Sequence, residues 1–494
     1  MLQDQLKQNF YLYQYNITYI MNKYKCDKKF TLEECELTIL RLAVDKAEKN
    51  IKTNIINSPN IQKILLIVET FLKDKQLIVY GGTAINSILP IEDQFYNKNT
   101  DLPDYDIYSY DAFDDSKELA NLYYTNGFTE VEAKTGIHCG TYKIFVNFIP
   151  IADITFLNKN IFNSIKKDAI IKNDILYAPP NFLRMSLYLE LSRPEGDVSR
   201  WEKILKRITL LNKNYPLKAT NCKQIDFQRK TDTLENIDSI YDDIKDALIS
   251  EKVVFFGGYA ISLYSQYMPS KLKHKFKKYP DFDVLSIHPQ KTAENIIKRL
   301  ESKGIKKVSI VKKTGVGEII SEHYEIIINK DTVAFIYKPL ACHSYNIIRI
   351  HNKSIKIATI DTMLSFYLAF LYANREYYDT SRILCMSQYL FKVQQQNRLE
   401  QKGLLKRFSV YCYGHQETLE EIRAKKTKKF INLKKKKNSK EYEKNFLRYR
   451  PVDIAKKSLD LENLIKIPTI KTKTSKRESS NSTRKNSKSK LYSK

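Results

Sequence analysis

Two aspartates two positions apart, Asp104 and Asp106, follow a glycine pair, Gly81-Gly82, with 22 residues from Gly82 to Asp104. In a strand, side chains at i and i+2 share a face, so the two carboxylates would stand side by side. Adjacent carboxylates repel, and a divalent cation between them relieves the repulsion. Mg²⁺ commonly takes one or two protein carboxylates and leaves its other positions to water and substrate phosphates. An isolated Asp-X-Asp also reads as a solvated acidic loop; the glycine turn a short helix upstream favours the cation. A third acid, Asp153, lies in the otherwise apolar Ile151-Ala152-Asp153-Ile154-Thr155-Phe156. A carboxylate there is costly unless paired or on a metal. A salt bridge to Lys or Arg is the alternative; the motifs upstream favour metal ligation.

The elements that must position these groups follow from pattern. Leu77–Tyr80 is a short apolar run of strand length, and Thr83–Leu89 is compatible with a helix, so Gly81-Gly82 forms a turn between them. Glycines allow close backbone approach, and the free N–H groups of a helix N-terminus favour a phosphate. A helix-like stretch from Ser116 to Tyr124 and an Asn126-Gly127 turn precede two or three strands, the last carrying Asp153. Residues 180–212 read as two helices joined by Arg193-Pro194-Glu195-Gly196. Trp201 opens the second as a packing anchor, and most of Lys203, Lys206 and Arg207 read as a solvated face.

The order GG-X-A-X-N, a gap of some twenty residues, D-X-D and a later lone Asp resembles the nucleotidyltransferase superfamily that includes DNA polymerase beta. The resemblance implies that Asp104, Asp106 and Asp153 hold two Mg²⁺ (or Mn²⁺) ions. It implies that Gly81, Gly82 and either Asn86 or Ser87 hold the nucleotide. With the run LYLELSRP…RWEK…KR…LLN, the chain most resembles the poly(A) polymerase catalytic subunits of poxviruses and giant DNA viruses. This places Arg193 and Lys206 as further candidates to reach substrate. It also implies ATP and an RNA 3′ end as substrates, a homodimer or separate processivity subunit, and a location in the host cytoplasm and the virion.

Residues 253–284 repeat the pattern: an apolar run, Gly257-Gly258, and Asp281-Phe282-Asp283, with 23 residues from Gly258 to Asp281. This is an internal duplication. The later strand aligns Ala334 with Asp153, so the second copy keeps the scaffold and loses the third acid. One active centre, in the first copy, is expected. The alternative is that Asp281 and Asp283 bind a single metal weakly.

A chain of 494 residues has room for about three domains. The net charge of +27 points to a polyanion such as nucleic acid. From Ala424 onward 24 Lys/Arg face 6 Asp/Glu, so +18 of that charge is local. Part of the lysine excess fits A+T-rich coding. The scattered, odd number of cysteines argues against a disulfide framework or zinc site and for a reducing compartment. The longest apolar run, Met363 to Ala373, is too short to cross a bilayer, so no membrane partner is expected. The N-terminal residues do not read as a signal peptide.

The expected fold is α+β. A helical module (1–75) leads into a catalytic unit (76–215), a degenerate second unit with C-terminal helices (216–423) and a basic, partly disordered tail (424–494). The expected function is template-independent polyadenylation of mRNA 3′ ends, with pyrophosphate released. The alternatives are another RNA-tailing enzyme, uridylyl or CCA, or a non-catalytic RNA-binding scaffold.

Overall fold

The computed structural model describes residues 30–229, 237–268, 279–397 and 400–455. Residues 1–29 of the expected helical module, and the tail beyond 455, lie outside the described residues. The helix Leu32–Ile56 begins at Thr31, whose hydroxyl accepts from Glu34 N while Glu34 accepts from Thr31 N, the capping box expected from the Thr-X-X-Glu spacing. The helix Pro59–Lys75 buries Ile64, Val68, Phe71 and Leu72, which recur at helical spacing and supply one apolar stripe.

The fold is α+β, built on two mixed sheets. The strands of the first are β1 (Ile78–Tyr80), β2 (Tyr105–Ser109), β3 (Val131–Thr135), β4 (Thr141–Val146), β5 (Ile149–Phe156), β6 (Ile170–Lys172) and β7 (Ile175–Tyr177). The second uses β8 (Val254–Phe255), β9 (Phe282–Leu285), β10 (Val308–Lys313), β11 (His323–Ile328), β12 (Asp331–Tyr337), β13 (His343–Ile350), β14 (Lys353–Ala358) and β15 (Cys412–Tyr413). A last strand, β16 (Arg448–Tyr449), returns to the edge of the first sheet.

The orders are β16-β3-β4-β5-β2-β1-β7-β6 and β10-β11-β12-β9-β8-β14-β13-β15. Seven strands of each sheet, all but β16 and β15, correspond one to one. In both units the central pairs β1–β2 and β8–β9 are antiparallel, while β2–β5 and β9–β12 are parallel. The pairs β1–β7 and β8–β14 are parallel in the same way. The duplication read from two short motifs thus extends through seven of the eight strands of each sheet. The helix after β7, Pro180–Leu191, packs on its counterpart after β14, Ile360–Phe370, and one continuous apolar core spans both units.

Across the start of the stretch expected as a basic, partly disordered tail, the helices Leu419–Leu433 and Lys440–Phe446 and strand β16 occupy residues 419–449. Its lysines obscured the capping box at Thr418 and Glu421 and the ring cluster of Phe430, Tyr442 and Phe446. The cysteines are not all unpaired. Cys222 joins Cys385 and Cys342 joins Cys412, with Cα–Cα separations of 5.5 Å and 5.2 Å. These partners are 163 and 70 residues apart, so only the fold brings them together. Among the described residues no helix is long and apolar enough to cross a membrane.

Candidate active site

Strand β2 alternates strictly. Tyr105, Ile107 and Ser109 are buried behind the sheet, and Asp106 and Tyr108 face forward. Behind, Tyr105 donates to Glu69 of the helix Pro59–Lys75 at 2.7 Å. In front, the parallel register pairs Asp106 with Asp153 on β5, so the two carboxylates share a face on neighbouring strands. Asp104 lies just before β2, and Thr83 donates to its carbonyl at 2.6 Å. The three predicted acids therefore converge.

Their electrostatics show it. Burial, then the charges of Asp104 and Asp153, push the Asp106 carboxyl up to about 7. Burial and Asp153 raise Asp104 as well. Lys143 on β4, the register partner of Asp153, holds its carboxylate in a salt bridge and also lowers the other two acids. The salt bridge that was the alternative to metal ligation is thus present, inside the acid cluster rather than in place of it. One lysine for three carboxylates leaves the group short of positive charge. An oxygen-only set of this kind fits a hard divalent cation.

The glycine turn is shaped by the same acids. Gly81 has φ +72°, and a Cβ there would overlap the Asp106 carboxylate. Only glycine tolerates both demands. A Cβ on Gly82 would lie 2.8 Å from both the Arg207 guanidinium and the Tyr96 hydroxyl. The helix Gly81–Ile88 starts without a side-chain cap, which leaves its N-terminus suited to a phosphate.

Two of the predicted nucleotide-binding residues sit elsewhere. Asn86 is buried, and its Oδ1 accepts from Phe95 N at 2.8 Å and Tyr96 N at 2.9 Å, so it anchors the loop beside Gly82 rather than facing a ligand. Ser87, one position on, turns toward Tyr177 of β7, and its carbonyl accepts from Lys172 at 2.6 Å. The adjacent positions lie about 100° apart around the helix, and neither points to the acids. Thr83, the polar residue directly after the glycine pair, is the one that touches the acid loop. Its place in the motif was the available signal.

The two helices after β7 bring the cations. Lys206 pairs with Glu202 one turn away at 2.7 Å on the solvent face, so it is removed from the substrate-facing set. Arg207 is buried: its Nη2 donates to Tyr96 Oη at 2.6 Å, and its guanidinium lies 4.9 Å from the Phe95 ring. Arg200 lowers the Asp106 carboxyl and lies 3.4 Å from Glu190. The Lys203 ammonium is lowered by Arg207, then by burial and Arg200, which marks a crowd of cations. Trp201 is the expected packing anchor, with Nε1 donating to Glu190 O at 3.0 Å and its ring against Phe408. Arg193 lines a cavity of about 720 Å³ whose floor includes Tyr80, Tyr108 and Thr155, on the same face as the acids.

The second unit shows what becomes of such a site without its third acid. By the shared topology Asp283 corresponds to Asp106, and its register partner on β12 is Phe335. Phe335, not Ala334, stands at the position of Asp153; the motif alignment was one residue out because it lacked the strand pairing. Between the remaining acids lies a guanidinium. Arg229 Nη2 reaches Asp281 at 2.9 Å and Asp283 at 3.1 Å, and the group sits 4.7 Å from the Phe335 ring. The turn is closed as well: Gly257 N and Tyr259 N donate to the carbonyls of Asp283 and Asp281. The weak single-metal site considered for this pair is filled by the protein's own cation.

Comparison with known proteins follows the same lines. Residues 66–197 match the family model described as "Poly(A) polymerase catalytic subunit". A protein of African swine fever virus named as a poly(A) polymerase catalytic subunit is 32% identical over 181 residues, 35% of this chain and 38% of that protein. One of Acanthamoeba polyphaga mimivirus with the same name is 30% identical over 245 residues, 47% of this chain and 40% of that protein. The matched stretches thus span about two fifths of each relative's length. The crystal structure of the Megavirus polyadenylate synthase shares the fold with a TM-score of 0.72 and 19% identity, over 91% of this chain and 93% of that one. In sequence across residues 66–197, and in fold across nearly its whole length, the chain is therefore similar to the viral poly(A) polymerase catalytic subunits.

Proposed function

We propose that the chain is a template-independent RNA nucleotidyltransferase that adds adenylate to mRNA 3′ ends. The observation that carries this reading is the convergence of Asp104, Asp106 and Asp153 beside the Gly81-Gly82 turn, in the unit that matches the family model. The 3′-hydroxyl of the RNA gives its proton to solvent as its oxygen bonds to the α-phosphorus of ATP, the bond to the bridging oxygen breaks, and pyrophosphate leaves. Asp104 and Asp106 would hold two Mg²⁺ ions and Asp153 the one nearer the RNA, where such ions stabilise the attacking and leaving oxygens. Gly81-Gly82 and the uncapped helix start receive the triphosphate, and Arg200, Lys203 and Arg207 offset its charge. The preference for adenine rests on the resemblance.

The test is primer extension with labelled RNA and each nucleotide singly. The wild-type chain should extend with ATP, and Asp104→Ala/Asp106→Ala should abolish extension without weakening RNA binding. Extension by the double variant would overturn the assignment of the site. Equal use of UTP or CTP would overturn the choice of adenylate. Light scattering of the same preparation tests whether a second copy supplies the processivity partner.

A further inference from the structure

We propose that the cavity beside the acids, closed on one side by the helix Leu419–Leu433, receives the terminal nucleotides of single-stranded RNA; this rests on the RNA-tailing reading above. Part of its lining stands on the same two strands as the acids. Tyr108 follows Asp106 by two residues and Thr155 follows Asp153 by two, which sets the floor about 7 Å along the strands from the carboxylates.

The composition of the covering helix is the second observation. Ile422, Lys425, Lys426 and Lys429 line the cavity. Their spacing, i, i+3, i+4 and i+7, marks a single helical face, the one that an amphipathic helix turns inward with apolar side chains. Here three of the four are lysines, and no residue of the helix is buried. That face fastens the helix through one hydrogen bond, from Lys426 to Gly136 O. Rings of Phe430, Tyr442 and Phe446 pack together below it, and β16 clips the segment to β3, pairing Arg448 with Lys134. An inward face with more cations than its own fold uses calls for an anionic guest.

The charges inside the cavity agree. Arg193, Lys425, Lys426, Lys429 and Lys444 face only Glu318 and Glu417 among the lining acids. Glu417 is taken by Lys425, and Lys426 donates to Gly136 O at 2.7 Å. The ammonium groups of Lys429 and Lys444 have no ion-pair partner among the described residues. Phe156, more than half exposed, also lines the cavity and offers a ring on which a base can stack without regard to sequence. Several cations with an exposed ring among them suit a strand of RNA. The triphosphate has its own cations at Gly82.

The test uses the full chain, a short labelled single-stranded oligoribonucleotide and fluorescence anisotropy, without ATP or metal, across a salt series. Each phosphate contact on a single strand contributes about 0.7 to the slope of log affinity against log salt. Lys429→Ala/Lys444→Ala should therefore flatten the slope by about 1.4 and weaken binding about tenfold near 150 mM salt. Lys434→Ala/Lys435→Ala, on the same segment but outside the cavity, should change affinity by less than about threefold. Equal effects of the two pairs, or an effect confined to KM for ATP, would overturn the proposal while tailing continued. RNA binding through these lysines by a wild-type chain that incorporates no nucleotide would overturn the tailing reading and leave the RNA surface standing.

Discussion

Replacing Arg229 by Met tests the idea that the second unit carries its own counter-ion. The side chains of Asp281 and Asp283 are only 7% and 11% exposed, and Arg229 contacts both within 3.1 Å. Methionine keeps much of the volume and the packing on Phe335 but leaves two neighbouring carboxylates buried without a cation. Removing one member of a buried ion pair costs about 3–5 kcal/mol. At roughly 2–4 °C per kcal/mol for a unit of this size, the thermal midpoint should fall by about 6–20 °C. Changing the acids as well, in Arg229→Met/Asp281→Asn/Asp283→Asn, removes the repulsion and should recover most of the loss. Differential scanning calorimetry of the full chain reads both. In the vacated single variant, about 10 mM Mg²⁺ acting on a site of about 1 mM Kd would return about 1.4 kcal/mol. A single variant that melts within about 2 °C of wild type, or a triple variant no better than the single, would refute the counter-ion account.

Two further outcomes follow from the first unit. Gly81→Ala should lower kcat by at least about 100-fold with the fold retained, because the new methyl displaces the Asp106 carboxylate; single-turnover primer extension and circular dichroism check the two halves of the statement. Lys206→Ala should leave KM for ATP and the melting temperature essentially unchanged, as for a solvent-exposed pair worth under about 0.5 kcal/mol, whereas Arg207→Ala should raise KM for ATP about tenfold or more; steady-state kinetics on both decides which cation serves the nucleotide.

Local pattern made the acid cluster legible, because Asp104 and Asp106 sit two apart at the head of a strand whose alternation fixes their face, and Asp153 interrupts an apolar run. The duplication was legible for the same reason. What the pattern lacked was register between strands distant in sequence. Lys143 meets Asp153, and Phe335 meets Asp283, only through β4–β5 and β9–β12 pairing. Helix rotation was equally out of reach: Asn86, Ser87, Lys206 and Arg207 were all polar residues in the right neighbourhood, and which one faced the turn depended on packing. Arg229 lies 52 residues before Asp281 with no motif around it, so nothing in its surroundings announced it.

The pairing of β16 with β3 has a consequence for how the molecule is made. The edge of the first sheet is completed by residues that leave the ribosome after the whole second unit, so a nascent chain must hold β3 open until then. A fragment cut between the units would keep every acid yet lose both the closing strand and the lysine helix. The first unit and the last described segment cannot be separated without leaving a bare β edge to find another partner.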